Sequence, residues 1–330
     1  MIDATETTGR GLEYFVLDVF TETPLQGNPL AVVINPGTLS TEKMQAIARE
    51  MNLSETTFVE RGPSESERRE GVRVRIFTTQ EELPFAGHPT LGTASLLRVI
   101  APEVVVNNTL TLNLNVGQVP VRFEASPAVS LWPAHGEMTQ RDPEFGEILD
   151  AADVSALTGI AVEEFDHTLP IQIVSTGTAF AIVPLRSAES LASLHVRQEE
   201  ASAFLRARGA RWFYVLGPEA PAPPTSPTAD LVAQPAWRAR MQFNGGEDPA
   251  TGSAAGCAIS HLVRYGAVPS GATVHVCQGV EMGRPSDLFL SAKFQGDSEE
   301  ANFTSQDGNV SDVRVGGSTI LVAKGHLFLP

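Results

Sequence analysis

Apolar and polar positions along this chain change their period several times, and each change marks an element. Residues 14–20 and 30–34 are apolar, β-branched runs separated by a turn-rich stretch, the pattern of paired strands. Over residues 41–51 the spacing of Met44, Ile47, Ala48 and Met51 becomes helical, and the first turn is acidic. Asn52-Leu53-Ser54 is a tight turn into a short strand over residues 55–60, and residues 72–78 alternate as another. Residues 63–71 between them read as a charged, solvated loop. A Gly/Pro loop then leads to an apolar helix over residues 90–99, and residues 110–114 and 119–123 read as a hairpin.

The second half repeats this plan. Strands are predicted over residues 171–175 and 179–183, a helix over 199–208, and strands over 211–216 and 238–243. A second apolar helix over 251–263 follows, then strands over 273–277, 288–294, 310–315 and 319–329. The Pro- and Ala-rich residues 218–235 read as an inserted loop. The repeat is sharpest where His88-Pro89-Thr90-Leu91-Gly92-Thr93-Ala94 and Asp248-Pro249-Ala250-Thr251-Gly252-Ser253-Ala254 share the pattern [HD]-P-x-x-G-[ST]-A before an apolar helix. A repeat of that size predicts two related domains, and 330 residues suit two cores of about 150 each. The expected division is residues 1–135, with the C-terminal strand crossing back to them, then 136–325, and a tail at 326–330; the boundary falls somewhere in 120–166.

Charge narrows the partners. A net charge of −16 repels phosphate backbones and anionic lipid, which disfavours nucleic acid and membrane surfaces but not a small anion held by local dipoles. No run reaches the ~18 apolar residues of a membrane helix, and the opening MIDATETTGRG lacks the basic and apolar regions of a secretory signal. Cys257 and Cys277 are too few for a disulfide framework and lack CxxC spacing, so a reduced, cytoplasmic setting is expected. The histidines have no metal-ligand spacing, and no P-loop or dinucleotide fingerprint occurs, so neither metal nor cofactor is expected.

A Gly-containing loop that feeds a helix presents free N–H groups at the positive end of the helix dipole, a ready anion site. The small residues Gly252, Ser253, Ala254, Ala255 and Gly256, and likewise Gly87 and Gly92 to Ser95, would let a ligand or another backbone approach closely. Each motif taken singly also reads as an ordinary helix start with Pro in the first turn; two copies in matching places favour a shared site in a cleft between facing halves. The copies are unequal. One carries His88, the other Asp248, and Glu55 has no carboxylate counterpart in the second half, where Arg211 or Ala210 falls. Unequal titratable groups suit directed proton transfer. Glu55 opens an apolar strand, where partial burial would raise its pKa toward a value useful for taking and returning a proton; the residues alone favour the plainer reading of a surface strand-end carboxylate.

Asn52-Leu53-Ser54-Glu55-Thr56-Thr57-Phe58, Glu82 to Thr90 and Glu247 to Ala254 together resemble the PhzF family, the phenazine-biosynthesis-type isomerases, whose fold is that of diaminopimelate epimerase. Gln26-Gly27-Asn28-Pro29 and the stretch from Gln278 to Ser286 match as well, so the resemblance runs from about Tyr14 to Gly325. It implies an α+β fold of two pseudo-symmetric domains, each a β-sheet wrapped around a central helix, and a homodimer. It also implies a cofactor-independent proton shift within a small carboxylic acid such as trans-2,3-dihydro-3-hydroxyanthranilate. Glu55 would be the general acid/base, with Asp248 and His88 catalytic beside it, and Gly87, Gly252 and Ser253 on the substrate anion. Racemases of this architecture use two opposed thiols. Here Ala86 and the Asp248 to Ser253 turn carry none, and Cys257 reads as a packed core thiol. A binding protein that has lost the chemistry and an amino-acid epimerase are the alternative readings.

Overall fold

The computed structural model describes residues 11–37, 39–124, 132–220, 236–243, 246–295 and 308–329. It divides into two units, Met1–Met138 with Ser318–Pro330, and Thr139–Gly317.

The first unit follows the predicted alternation closely. Its elements are β1 (Leu12–Val19), β2 (Asn28–Ile34), α1 (Thr41–Met51), β3 (Glu55–Glu60), α2 (Ser64–Glu70), β4 (Val72–Thr78), β5 (Glu82–Leu83), α3 (Gly87–Ile100), β6 (Thr109–Leu114), β7 (Gly117–Phe123) and β8 (Ala134–Thr139). The sheet runs β1-β2-β3-β4-β6-β7-β8, with β2–β3 and β4–β6 parallel and the other pairs antiparallel. Every residue of α3 from Gly87 to Leu97 is buried. A helix apolar on all sides must be surrounded, and α3 packs on β1, β2, β3, β6 and β7. Helix α1 instead lays Met44, Ile47 and Ala48 on Val33, Phe58 and Phe77. Gly92 has no room for a ligand, because a Cβ there would meet Val19 Cγ2 at 2.6 Å and Leu30 Cδ2 at 2.7 Å. Its smallness serves helix-to-strand packing.

The second unit comprises β9 (Glu144–Ile148), α4 (Ala151–Thr158), β10 (Gln172–Ser175), β11 (Ala179–Pro184), α5 (Gln198–Arg206), β12 (Trp212–Pro218), β13 (Ala236–Arg240), β14 (Gln242–Phe243), β15 (Gly246–Glu247), α6 (Gly252–Arg264), β16 (Val274–Gln278), β17 (Ser286–Gln295) and β18 (Asn309–Leu327). Its sheet runs β9-β10-β11-β12-β13-β16-β17-β18, again with two parallel pairs, β11–β12 and β13–β16, in the same places. Helix α6 is buried over nearly its whole length and packs on β10, β11 and β17. Gly256 is likewise occupied: a Cβ there would lie 2.0 Å from Gln140 Oε1.

Several expectations change. The loop expected over residues 63–71 holds α2, whose Glu67 is buried and accepts from Arg61 Nε (2.9 Å) and the Gly62 N–H (2.7 Å). The strands expected over 310–315 and 319–329 are one strand, β18. Residues 319–327 of β18 pair antiparallel with β1, the crossing back expected of the C-terminal strand, and Ser318–Pro330 belong to the first unit. The cut between the units falls between Met138 and Thr139, inside the expected 120–166, and Met138 pairs with Val121 of β7. Residues 221–235 of the expected Pro-rich loop lie outside the described residues.

Candidate active site

Glu55 is delivered by a sharp helix-to-strand transition. Helix α1 ends at Asn52, whose left-handed backbone (φ 51°) lets its N–H close on Ala48 O, and β3 opens three residues later at Glu55. Glu55 pairs with Leu30 of β2 on one side and Thr78 of β4 on the other. Its side chain is 15% exposed. His88, 4% exposed, projects from the first turn of α3, and its Nε2 lies 3.4 Å from Glu55 Oε2, an ion-pair distance without hydrogen-bond geometry. On the far side of the ring, Asn28 Nδ2 is 3.2 Å from His88 Nδ1. Burial pushes the His88 pKa down to about 3, so the ring is neutral at any ordinary pH. Gly27 places Asn28: its φ of 68° and a would-be Cβ 2.4 Å from Val19 O admit glycine alone.

The corresponding turn in the second unit carries Asp248, 7% exposed, with Thr251 Oγ1 donating to Asp248 Oδ2 at 2.7 Å. Gln278, fully buried at the end of β16, braces the turn. Its Nε2 donates to Asp248 O (2.8 Å) and Thr251 Oγ1 (3.0 Å), and its Oε1 accepts from Thr251 N (3.1 Å) and Tyr214 Oη (3.2 Å). Gly252 and Ser253 are the first two residues of α6, and Gly87 is the first of α3, so all three stand where helix N–H groups have no intrahelical acceptor.

The two motif copies are therefore alike in sequence and unlike in place. His88 and Pro89 lie inside α3, which begins at Gly87 and not at residue 90, while Asp248 and Pro249 lie in the turn before α6. The sheet also corrects the expected counterpart of Glu55. Leu30 to Ile34 pair with Glu55 to Val59 as Phe180 to Pro184 pair with Trp212 to Leu216, so Trp212, not Arg211 or Ala210, holds the equivalent position. The same register carried back two residues sets Thr178 where β2 has Asn28.

The chain matches the family described as phenazine biosynthesis-like protein (PhzC-PhzF) over residues 17–325. The chain belongs to the PhzF family. It is 34% identical to the trans-2,3-dihydro-3-hydroxyanthranilate isomerase of Pseudomonas aeruginosa over 319 residues, covering 96% of this chain and 99% of the relative. A solved structure of a predicted epimerase from Pseudomonas aeruginosa is similar at 32% identity and a TM-score of 0.75, covering 97% of this chain and all of that one. A probable proline racemase of Agrobacterium radiobacter shares the fold, with a TM-score of 0.57 over 97% of this chain and 93% of its own, at 11% identity. The PhzF-family chain is an isomerase with the α+β, epimerase-like architecture expected of it.

Two supports of this PhzF-family chain were not read from the sequence: the arginine partners of the glutamates that open its motifs. Arg75 and Glu82 form a bidentate pair (2.8 and 2.6 Å), and Arg240 and Glu247 form its counterpart (2.9 and 2.6 Å). The register is identical, since Phe58 faces Arg75 as Val215 faces Arg240. The Arg75 bond holds the Glu82 carboxyl below its usual range, and Glu82 raises Arg75 in turn. Each pair closes the hairpin that delivers the motif, and Glu247 directly precedes Asp248. The signal was a repeated Arg-x6-Glu spacing. Cys257 is a core thiol: fully buried, 3.5 Å from Thr176 Oγ1, its pKa pushed up to about 11 by burial. His261, also fully buried, bonds Pro170 O at 2.8 Å through Nε2. Among the described residues no three His, Cys, Asp or Glu side chains gather to hold a metal ion, and no helix is long and apolar enough to cross a membrane.

Proposed function

We propose that the chain moves a proton within a small cyclic or unsaturated carboxylic acid, of the class of trans-2,3-dihydro-3-hydroxyanthranilate, with Glu55 as the general acid/base. The observation that carries this reading is the Glu55 carboxylate, mostly buried and 3.4 Å from a neutral imidazole. It is joined by 34% identity over nearly the whole length to an isomerase of that acid. The Glu55 carboxylate takes the proton from one carbon, which breaks C–H, forms O–H and leaves an enolate-like anion. It returns the proton to another carbon of the same molecule, so atoms and charge balance without a co-reactant. His88 and Asp248 orient or polarise the substrate. The backbone N–H groups of Gly87, Gly252 and Ser253 favour its carboxylate and the developing anion through the helix dipoles. In this reading the enzyme needs neither cofactor nor metal and works as a cytoplasmic homodimer.

Glu55→Gln tests the assignment. Substrate binding should remain measurable by calorimetry while turnover falls by roughly 10²–10⁴, and the reaction run in deuterium oxide should place label at the carbon that receives the proton. Turnover near that of the parent enzyme would remove Glu55 from this role. Exchange of a single α-proton with loss of optical activity would identify an epimerase instead.

A further inference from the structure

The side chain of Asn28 is fully buried at the start of β2, with no solvent to bond. A neutral imidazole has one proton for two nitrogens, and the structure constrains both ends of the His88 ring. A carboxylate oxygen can only accept, so Nε2 must carry the proton for its 3.4 Å approach to Glu55 Oε2 to be attractive. Nδ1 is then a bare acceptor, and what faces it at 3.2 Å is the donating end of the Asn28 amide. With the amide placed this way and Glu55 ionised, both ends fit the same tautomer. Full burial also denies the ring a second proton.

We propose that Asn28 is a positioning residue: it fixes His88 as the Nε2–H tautomer and, through it, holds the Glu55 carboxylate by one oxygen. This rests on Glu55 being the proton carrier. While Glu55 is ionised the Nε2–H end of the ring faces a negative oxygen at 3.4 Å, and once Glu55 has taken a proton that electrostatic attraction is lost. His88 thus favours return of the proton from Glu55 to substrate. The second unit lacks every part of the device. Trp212 and Thr178 stand at the register positions of Glu55 and Asn28, and Asp248 replaces His88 in the motif, although the strand register and the Arg–Glu pair are repeated around them. A purely architectural amide would be expected in both copies.

The test reads the tautomer directly. Long-range proton–nitrogen correlation spectra of the full chain at neutral pH, with His88 assigned by the signals lost in His88→Gln, should show a neutral ring protonated on Nε2. In Asn28→Asp the new carboxylate can only accept, so a proton should appear on Nδ1. In that variant kcat on trans-2,3-dihydro-3-hydroxyanthranilate should fall roughly 10- to 100-fold, with KM within about twofold. An Nδ1-protonated ring in the parent enzyme overturns the proposal, as does a tautomer flip in Asn28→Asp that leaves kcat intact. If Asn28→Asp does not fold, the parent spectrum still decides. Full turnover in Glu55→Gln would overturn the underlying function while the spectrum continued to report the tautomer, so the two failures are separable.

Discussion

The two units are built to one plan and differ at the places where chemistry is expected. Strand order, the placing of two parallel pairs, the buried helix and the Arg–Glu hairpin clasp recur from the first unit to the second. In the first, the strand-end position of the β2–β3 register carries Glu55 beside a neutral, buried His88. In the second, it carries Trp212, which packs on Phe180 and Phe243 with ring centroids 5.8 Å away in each case. The second unit's carboxylate, Asp248, is tied by a hydroxyl and a braced turn, in a motif whose sequence carries no histidine. Duplicated scaffolds thus constrain burial and hydrogen bonding throughout, while side chains at strand ends and helix starts are free to diverge, because few packing contacts depend on them.

The comparison can be broken most forcefully at Gln278. Gln278→Leu strands the Thr251 N–H, the Tyr214 hydroxyl and the Asp248 carbonyl in a buried site. Urea unfolding should show a loss of about 2–4 kcal/mol, with the catalytic loss appearing alongside; an effect under about 0.5 kcal/mol would mean the turn does not depend on it.

An acid limb should distinguish the units next. His88 has its folded pKa depressed from 6.5 to about 3, so between those values the unfolded chain binds more protons and stability falls as pH falls. The slope approaches about 1.4 kcal/mol per pH unit for one such group. His88→Gln should flatten the stability–pH curve between about pH 6 and 4, leaving the contribution of His261, depressed to about 4 in the second unit, in place. An unchanged curve would show that His88 is not held neutral by burial.

Gly92→Ala probes the helix packing of the first unit. The added methyl meets Val19 and Leu30 inside 3 Å, and overpacking of this kind costs about 1–3 kcal/mol. Thermal unfolding measures it, and no loss would mean that α3 shifts freely against β1 and β2.

The smallest effect is expected at Trp212→Glu, which places a carboxylate at the register position of Glu55 in the other unit. The half-exposed site should lose about 1 kcal/mol of aromatic contact, and the change should not restore turnover to a Glu55→Gln chain, because no neutral imidazole stands at the matching place. Restored turnover would show that register alone makes the proton carrier.

Much of this molecule is legible from its residues. Hydrophobic period predicted α1, β3 and β4 to the residue, because local alternation reflects which side of an element meets a core. The repeated motif announced two related units, and His88 and Asp248 stood out as its unequal position, while Glu55 was singled out by the family resemblance. The helix α2 was hidden because its residues are charged and its one buried member, Glu67, is compensated by Arg61, which hydropathy does not register.

Only tertiary structure decided the rest. It took the smallness of Gly92 and Gly256 away from ligand contact and gave it to packing, and it set Trp212 at the register position of Glu55 in the repeat. It also brought Asn28 to His88 across sixty positions of sequence. A chain pattern records what each residue prefers to bury. Which partner satisfies a buried nitrogen, and which strand closes a sheet, depends on distances that exist only after the chain has folded.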